Sequence, residues 1–336
     1  MLYVLVVGML APLTAGISES TPTNAKIGEP FRLKVIGYNT DFLTETPRFW
    51  LKTDDKTYIK AVEVGVEDDN TLNALFTLNK DLPTKDAIVS ATLVMDSKLS
   101  GTIVLPSAVF ITQRANPILA AEAGEFAKPN DLAGDINGIN YPFRSILEET
   151  IRNLYYHVPL WFGMLIILAT SMFFSIRHLR TQSIADDIAA VAFAKTGVLY
   201  GILGTITGAL WAKYTWGQAW SWDIKQIGTA VSLLIYFAYF ILRSSFDDDD
   251  KRARIAAVYN IFAFVSLIPL LFVIPRLTDS LHPGNGGNPA FSKMDLNSNM
   301  RMVFYPAVIA FTLMGFWVAN TLRRLEMIIA KRLDIL

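Results

Sequence analysis

The chain has 336 residues, of which 52% are hydrophobic and 18% are charged, and its formal net charge is zero. A composition this apolar is typical of an integral membrane protein rather than a soluble one. The balanced charge gives no reason to expect nucleic-acid binding. Because the chain contains no cysteine, disulfides, thiolate metal ligands and redox CxxC motifs are excluded. Imidazole chemistry must therefore use the three histidines, His157, His178 and His282.

The N-terminal segment from Leu2 to Leu13 is apolar, but it is shorter than the ~20 residues that a full membrane span needs. It lacks the basic n-region with which a signal peptide begins. We interpret it as part of a first transmembrane helix over residues 1–20, with a signal-like leader as the alternative. Either interpretation predicts that the residues after it cross the membrane.

Residues 26–113 alternate apolar and polar positions in short runs such as F-R-L-K-V and G-T-I-V-L, which turn-rich pieces separate. A period of two at this spacing predicts a small antiparallel sandwich with the size of one immunoglobulin-like module. No catalytic constellation occurs in it, so we interpret it as a binding or spacer domain. Residues 114–150 follow as a polar connector.

The segment 151–336 contains five apolar stretches, each long enough to cross a hydrocarbon layer of about 30 Å. They lie at 157–177, 186–210, 224–243, 254–275 and 303–322. Together with the first helix, they predict an all-α, six-helix transmembrane bundle. The immunoglobulin-like β-sandwich is then inserted between helices 1 and 2.

Basic residues orient these stretches. They follow the first stretch, flank the connection between the third and fourth, and follow the last. Because basic loops remain in the cytoplasm, the β-domain, the loop after the second stretch and the loop 276–302 lie outside. We therefore expect a multi-pass protein of the inner (cytoplasmic) membrane whose β-domain is periplasmic.

The loop after the second stretch is unusually rich in tryptophan. Four of the seven tryptophans of the chain fall here, at Trp211, Trp216, Trp220 and Trp222. A single tryptophan at this depth is usually an interfacial anchor. Four of them beside Gly217 and Asp223 suggest a flat aromatic platform for a large planar ligand. If the segment is helical, Trp216, Trp220 and Asp223 share one face.

Two of the three histidines share the outer surface with these tryptophans, namely His157 and His282, whereas His178 lies at an inner helix end. Two neutral imidazoles on opposite faces of a porphyrin supply both axial ligands of a haem iron. Each histidine alone has the simpler interpretation of a solvated helix-end residue, and the aromatic cluster favours ligation. The His178 side chain has no predicted role in the site.

Haem propionates need cations at the water interface, and Arg152, Lys213 and Lys225 are candidates for this role. The alternative for Arg152 is a residue that marks the membrane boundary. Asp223 has two interpretations, either holding its loop by accepting backbone N–H groups or orienting a ligand. We favour the first, since an unpaired carboxylate would repel propionates.

A face of glycines runs along the second stretch, at Gly197, Gly201, Gly204 and Gly208. This spacing places them on one side of a helix. Small residues on one face let a second helix approach closely or leave room for a flat ligand. We favour helix packing.

Several motifs together resemble a known family. The run W-G-Q-A-W-S-W-D, which ends at Asp223, is similar to the tryptophan-rich WWD signature of haem-handling proteins of cytochrome c maturation. Three further segments resemble segments of these proteins in the same order, namely R-N-L-Y-Y-H-V-P, F-D-D-D-D-K-R-A-R and S-L-H-P-G. Residues 145–336 therefore resemble the cytochrome c maturation protein C (CcmC) family.

This resemblance implies a site for haem b, bound transiently and without a covalent bond, between the WWD segment and the axial ligands His157 and His282. It implies presentation of the haem to a CcmE-like haem chaperone, with a CcmD-like small membrane protein and a CcmAB-like ABC transporter as further partners. The chain departs from the family at Lys225, where arginine is common, and at Ala219, where an aromatic residue is common. The β-domain has no counterpart in the family.

Two alternative functions stay open. One is a haem–cytochrome c synthetase subunit of the CcsA or CcmF type, which shares the tryptophan motif but usually has more helices and histidines. The other is a non-haem membrane scaffold that displays a β-sandwich. The favoured prediction is a haem-delivery protein rather than an enzyme.

Overall fold

The computed structural model describes residues 1–78, 81–114, 128–134, 139–282 and 296–332. The chain forms two compact units, the first consisting of Met1–Ala11 with Glu149–Leu336 and the second of Pro12–Glu148. Each unit has a hydrophobic core of its own.

Among the described residues of the helical unit, five helices are long and apolar enough to cross a membrane, and the protein is a multi-pass membrane protein. They are α2 (Leu154–Thr181), α3 (Ile184–Trp216), α4 (Ile224–Ser244), α5 (Asp249–Ile268) with its extension, and α7 (Ser298–Arg332). The extension of α5 is a π-helical turn (Pro269–Val273) followed by the short helix α6 (Ile274–Leu277). All five fall on the predicted stretches.

The N-terminal helix α1 (Leu2–Leu10) has nine residues, which is well short of a span. The prediction of one helix over residues 1–20 is corrected here. Ala11 is extended, as is usual for a residue that precedes proline. The following chain enters the β unit, where Gly16–Thr21 form the first strand.

Helices α2 and α3 lie side by side along the glycine face. A Cβ atom added at Gly197 would come within 2.3 Å of the Leu168 side chain, and one added at Gly204 within 2.8 Å of Trp161. Side chains of the neighbouring helix therefore fill the space above these glycines. The packing interpretation of the glycine face is confirmed.

The half of the bundle that contains the α2–α3 and α4–α5 connections, called here the opposite end, holds a set of buried polar contacts. The Asn260 amide donates to the hydroxyls of Ser171 and Ser175, at 2.8 Å each. The Arg243 guanidinium pairs with both carboxylate oxygens of Asp187. These contacts link α2 to α5 and α3 to α4.

The second unit contains two β-sheets that share one core. Its strands are β1 (Gly16–Thr21), β2 (Asn24–Lys26), β3 (Pro30–Tyr38), β4 (Arg48–Lys52), β5 (Tyr58–Lys60), β6 (Glu63–Val66), β7 (Thr71–Thr77), β8 (Ile88–Ser97) and β9 (Gly101–Thr112). One sheet has the order β1-β3-β7-β6 and the other the order β2-β9-β8-β4-β5. All neighbouring strands are antiparallel except β2 and β9, which are parallel.

The β unit extends beyond the predicted range 26–113. Strand β1 lies before that range, and the connector contributes contacts after it. Leu132 of the connector packs against Trp50 and Tyr58, and the Ala133 backbone N–H donates to the Asp96 carboxylate at 2.8 Å. Parts of the predicted connector, residues 115–127 and 135–138, lie outside the described residues.

Candidate functional site

Helix α3 ends at Trp216, and the tryptophan-rich segment continues without helical structure. Gly217 adopts a left-handed backbone conformation with φ 78°, which glycine tolerates because it lacks a Cβ atom, and this conformation ends the helix. The expectation that Trp216, Trp220 and Asp223 share a helical face is therefore wrong. The segment from Gly217 leads to Asp223, which precedes α4.

Asp223 joins two separate segments of the chain. Its carboxylate accepts the Lys225 backbone N–H at 2.9 Å and so caps the N-terminus of α4. It also accepts the Leu281 backbone N–H at 2.8 Å and the Ser280 hydroxyl at 3.1 Å. The favoured loop-holding interpretation describes these contacts, but it missed that the second loop is the one that carries His282.

The ionisation of Asp223 follows from these contacts. Burial raises the pKa of its carboxyl, since only 3% of the side chain is exposed. The hydrogen bonds from the Leu281 and Lys225 backbones and from the Ser280 hydroxyl outweigh burial, so the pKa of Asp223 lies below its ordinary value. The side chain is a carboxylate at neutral pH.

His282 is held by this carboxylate. Its Nδ1 lies 2.8 Å from Asp223 Oδ1, and its ring meets the Trp216 ring edge-on at a centroid distance of 4.9 Å. Because a carboxylate only accepts hydrogen bonds, the Nδ1 atom carries the proton, and this leaves a lone pair on Nε2. Burial lowers the pKa of His282 below its ordinary value and outweighs the nearby Asp223 carboxylate, which raises this pKa.

His157, in the first turns of α2, is held differently. Its Nδ1 lies 3.1 Å from the Thr207 hydroxyl of α3. That hydroxyl donates its own proton to backbone carbonyls one turn back, with Leu203 at 2.9 Å, so it accepts from Nδ1. The imidazole lies against Gly208, where an added Cβ atom would come within 2.6 Å of Cε1. Because the hydrogen bond to Thr207 places the proton on Nδ1, the Nε2 atom of His157 keeps its lone pair.

The structure brings His157 and His282 together at the tryptophan end of the bundle. The two imidazoles are near enough to interact electrostatically. His157 lies edge-on to Trp211 and to Trp161, at centroid distances of 5.8 and 6.1 Å. His178 is buried at the opposite end, where its Nδ1 lies 2.9 Å from the Ser183 carbonyl oxygen.

The two remaining predicted tryptophans lie on the non-helical segment. Trp220 and Trp222 contact each other edge-on at 6.0 Å, and Trp222 is 74% exposed. An indole that is this exposed lacks the burial that normally accompanies a tryptophan in a folded protein. It is the most accessible flat apolar surface of the WWD segment.

The predicted cations take different positions. Arg152 donates at 2.7 Å to the carbonyl oxygen of Ala11, the residue that follows α1, and pairs with Glu149 at 2.5 Å. Lys225 lies in the first turn of α4 beside Asp223. Lys213 is exposed in the last turn of α3. The structure thus directs the Arg152 guanidinium to α1, whereas the two lysines flank the tryptophan-rich segment.

Four residues of the site were not predicted from the sequence in this role: Thr207, Ser280, Gly208 and Trp161. Trp161 follows His157 by four residues, and this spacing placed it on the same helical face. Gly208 belonged to the glycine face. Thr207 and Ser280 had no local signal, because their partners lie on distant segments.

Comparison with known proteins shows the family to which the helical unit belongs. The family model of heme exporter protein C (CcmC) matches residues 137–334. The chain belongs to this family. The match starts after strand β9, so all nine strands of the β unit lie outside it.

Relatives of the same name share part of this sequence. Heme exporter protein C of Bradyrhizobium diazoefficiens is 27% identical over 166 residues, which are 49% of this chain and 62% of the relative. That of Haemophilus influenzae is 23% identical over 183 residues, or 54% and 72%. That of Escherichia coli K12 is 27% identical over 137 residues, or 41% and 56%. The chain therefore covers less than two thirds of two of these three relatives.

Proposed function

We propose that the protein binds haem b non-covalently at the tryptophan end and delivers it during the biogenesis of c-type cytochromes. The observation that carries this proposal is the placement of His157 and His282 at the same end of the bundle, where a hydrogen bond at each Nδ1 leaves the Nε2 lone pair for a metal. The name of the relatives, heme exporter protein C, is in line with it.

The donor set fits a porphyrin. Among the residues that the structure describes, no three His, Cys, Asp or Glu side chains cluster as a metal site. Two imidazoles suffice when the porphyrin supplies the four equatorial nitrogens, as in haem. The indoles of Trp216, Trp220 and Trp222 provide flat apolar surface beside the ring. A non-haem scaffold offers no reason for two oriented imidazoles at such a place.

The propionates need cationic partners, and we propose Lys213 and Lys225 for this role. Both flank the WWD segment, and Lys213 is exposed. Arg152, the third candidate, serves the site indirectly, because its hydrogen bonds hold the C-terminal carbonyl groups of α1. Gly217 contributes by ending α3, which frees the segment that follows to present its indoles.

Delivery requires that the haem leave again. Neutral imidazoles suit this requirement, because the coordinate bonds that they form with iron are reversible. The exposed Trp222 provides a place where an acceptor can reach the ring. As partners we propose a CcmE-like haem chaperone, a CcmD-like small membrane protein and a CcmAB-like ABC transporter.

We further propose that the protein lies in the inner membrane with its tryptophan end and β unit in the periplasm. Basic residues at the opposite end, among them Arg177, Arg180 and Arg252, support this orientation. We propose that α1, which packs on α7, completes a six-helix bundle. The strand orders of the two sheets support an immunoglobulin-like sandwich for the β unit.

A visible spectrum of the detergent-purified chain, with and without added haemin, tests the proposed function. We expect a six-coordinate, low-spin spectrum and a pyridine haemochrome typical of haem b. The variants His157→Ala and His282→Ala should each weaken haem binding, and His178→Ala is the matched control that should not. A chain that stays colourless with haemin, or two site variants that keep the parent spectrum, would refute the proposal.

A further inference from the structure

The two imidazoles of the site are held by partners of different charge. The Nδ1 atom of His282 faces the carboxylate of Asp223 at 2.8 Å. The Nδ1 atom of His157 faces the neutral hydroxyl of Thr207 at 3.1 Å, and the backbone carbonyl of Gly204 also lies beside this ring. One ligand therefore has an anionic hydrogen-bond acceptor and the other only neutral ones.

The carboxylate is held in place independently of His282. Three donors besides the imidazole contact it, namely the backbone N–H groups of Lys225 and Leu281 and the Ser280 hydroxyl. Its side chain is only 3% exposed, so water does not screen it as it would at the surface. Asp223 is therefore held beside the ring by contacts that do not involve the Nε2 atom of His282.

The charge of such a partner changes the strength of a histidine ligand. A carboxylate that accepts the Nδ1 proton draws it away from the ring, and this raises the basicity of the Nε2 atom. A neutral hydroxyl has a smaller effect, since hydrogen bonds to charged acceptors are roughly twice as strong as neutral ones. The carboxylate also stabilises the positive charge of a ferric centre more than that of a ferrous one.

We propose that Asp223 is a positioning residue that makes His282 the stronger axial ligand, and that His157 is the ligand which yields first when haem is released or a competing ligand binds. This inference rests on the proposed haem-binding function. The exchange involves no electron transfer: the bond between iron and Nε2 of His157 breaks, and a bond from iron to the incoming ligand forms. His282 keeps the haem attached meanwhile.

Carbon monoxide tests which ligand yields. It binds the ferrous haem of the full-length protein by replacing one axial ligand, and the Fe–CO stretching frequency in resonance Raman spectra reports the ligand that remains. We expect the CO complex of the wild type to match that of His157→Ala, which retains only His282. A match with His282→Ala instead would overturn the inference.

Substitution at Asp223 tests whether its carboxylate causes the difference in ligand strength between His282 and His157. Asp223→Asn removes the charge and keeps one oxygen acceptor, and we expect ~10–100-fold weaker binding of haemin together with a higher reduction potential. Thr207→Val should change both quantities less. Ser280→Ala is the matched control, because it loosens the same loop but leaves the carboxylate charge, so the potential should stay at the wild-type value.

The outcomes separate this inference from the function on which it rests. A wild type without a low-spin haem spectrum would refute the proposed function itself. A normal wild-type spectrum with equal shifts in potential for Asp223→Asn and Ser280→Ala would refute only the role of the carboxylate. The CO comparison needs no change at Asp223, so it remains decisive if Asp223→Asn does not fold.

Discussion

The two ends of the helical bundle both bury polar side chains but use them in different ways. At the opposite end, Arg243 and Asp187 form two hydrogen bonds with each other, and the Asn260 amide nitrogen donates to two serines. At the tryptophan end, His157 and His282 each have a hydrogen-bond partner at Nδ1 and none at Nε2 among the residues that the structure describes. The first arrangement holds helices together, whereas the second leaves one nitrogen of each ring for the proposed bond to iron.

An unused nitrogen alone does not make a binding site, as His178 shows. Within the described part of the chain, its Nε2 atom has no hydrogen-bond partner either, but this atom is buried. His157 and His282 are partly exposed and lie beside the tryptophan-rich segment. Access and surroundings therefore distinguish the two ends more clearly than the presence of histidine does. Changes at one end should leave the properties of the other intact.

The largest effect is expected at the opposite end. Asp187→Ala leaves the Arg243 guanidinium without its partner in a largely buried position, with only 16% of the side chain exposed. Breaking a buried ion pair costs about 3–5 kcal/mol of folding free energy. Chemical unfolding of the purified protein in detergent should show this loss, while the spectrum of bound haem stays unchanged.

The double variant Asp187→Asn with Arg243→Gln is the control for this prediction, because it removes both charges together. It should recover much of the lost stability. If Asp187→Ala instead abolished haem binding without lowering stability, the two ends would not be functionally separate.

A second prediction concerns the contact between α2 and α3 at the tryptophan end. In Gly208→Ala, the new methyl group would come within 2.6 Å of the His157 ring, so the ring must move. Overpacking of this kind costs about 1–3 kcal/mol, and the displaced imidazole should lose its bond to iron. Haemin titration should then show a five-coordinate, high-spin spectrum.

Gly197→Ala is the matched control for Gly208→Ala. It lies three turns earlier on the same face and crowds Leu168 rather than the histidine, with 2.3 Å to that side chain. A similar loss of stability with a retained low-spin spectrum is expected. Identical spectra for the two variants would mean that the contact at Gly208 does not position His157.

Acid should loosen the tryptophan end before the opposite end. The pKa values of His282 and Asp223 are both lowered in the folded protein, the first chiefly by burial and the second by hydrogen bonds that outweigh burial. A lowered pKa contributes stability that is present above the unfolded pKa and is lost as the pH falls through the folded value. For His282 this loss begins below its ordinary value of 6.5.

Hydrogen exchange of the backbone N–H of Leu281, followed by mass spectrometry between pH 7 and pH 4, measures this loosening after correction for the intrinsic exchange rate. Protection around Leu281 should fall in this range, and protection of α2 near Ser171 should not. Protection that falls equally at both ends would show that the acid effect is global rather than centred on Asp223 and His282.

The smallest effect is expected for Arg152→Ala. This change removes the cation from the C-terminus of α1, and such contacts contribute about 0.3–1 kcal/mol. Haemin affinity should stay close to the wild-type value, whereas Lys213→Ala should reduce it. The opposite ranking in a haemin titration would return the propionate role to Arg152 and remove it from Lys213.

Much of the secondary structure of this protein could be predicted from local patterns in the sequence. The apolar stretches gave the five long helices, and the period of two gave most of the strands, because hydrophobic periodicity reports directly on which face of an element is buried. The predicted boundaries of these helices and strands were less accurate. Gly16–Thr21 escaped notice as a strand because residues 1–20 were predicted as one helix, and Gly217 was not recognised as the end of α3.

By itself, the sequence determined the spans, the tryptophan-rich segment and the candidate histidines, since each of these depends on residues that are near one another in the chain. Only the tertiary structure decided that Thr207 faces His157, that Asp223 faces His282, and that Arg152 is occupied with α1. Hydrogen-bond partners such as these come from distant helices and loops. Their pairing depends on how the helices pack, which no local pattern of residues records.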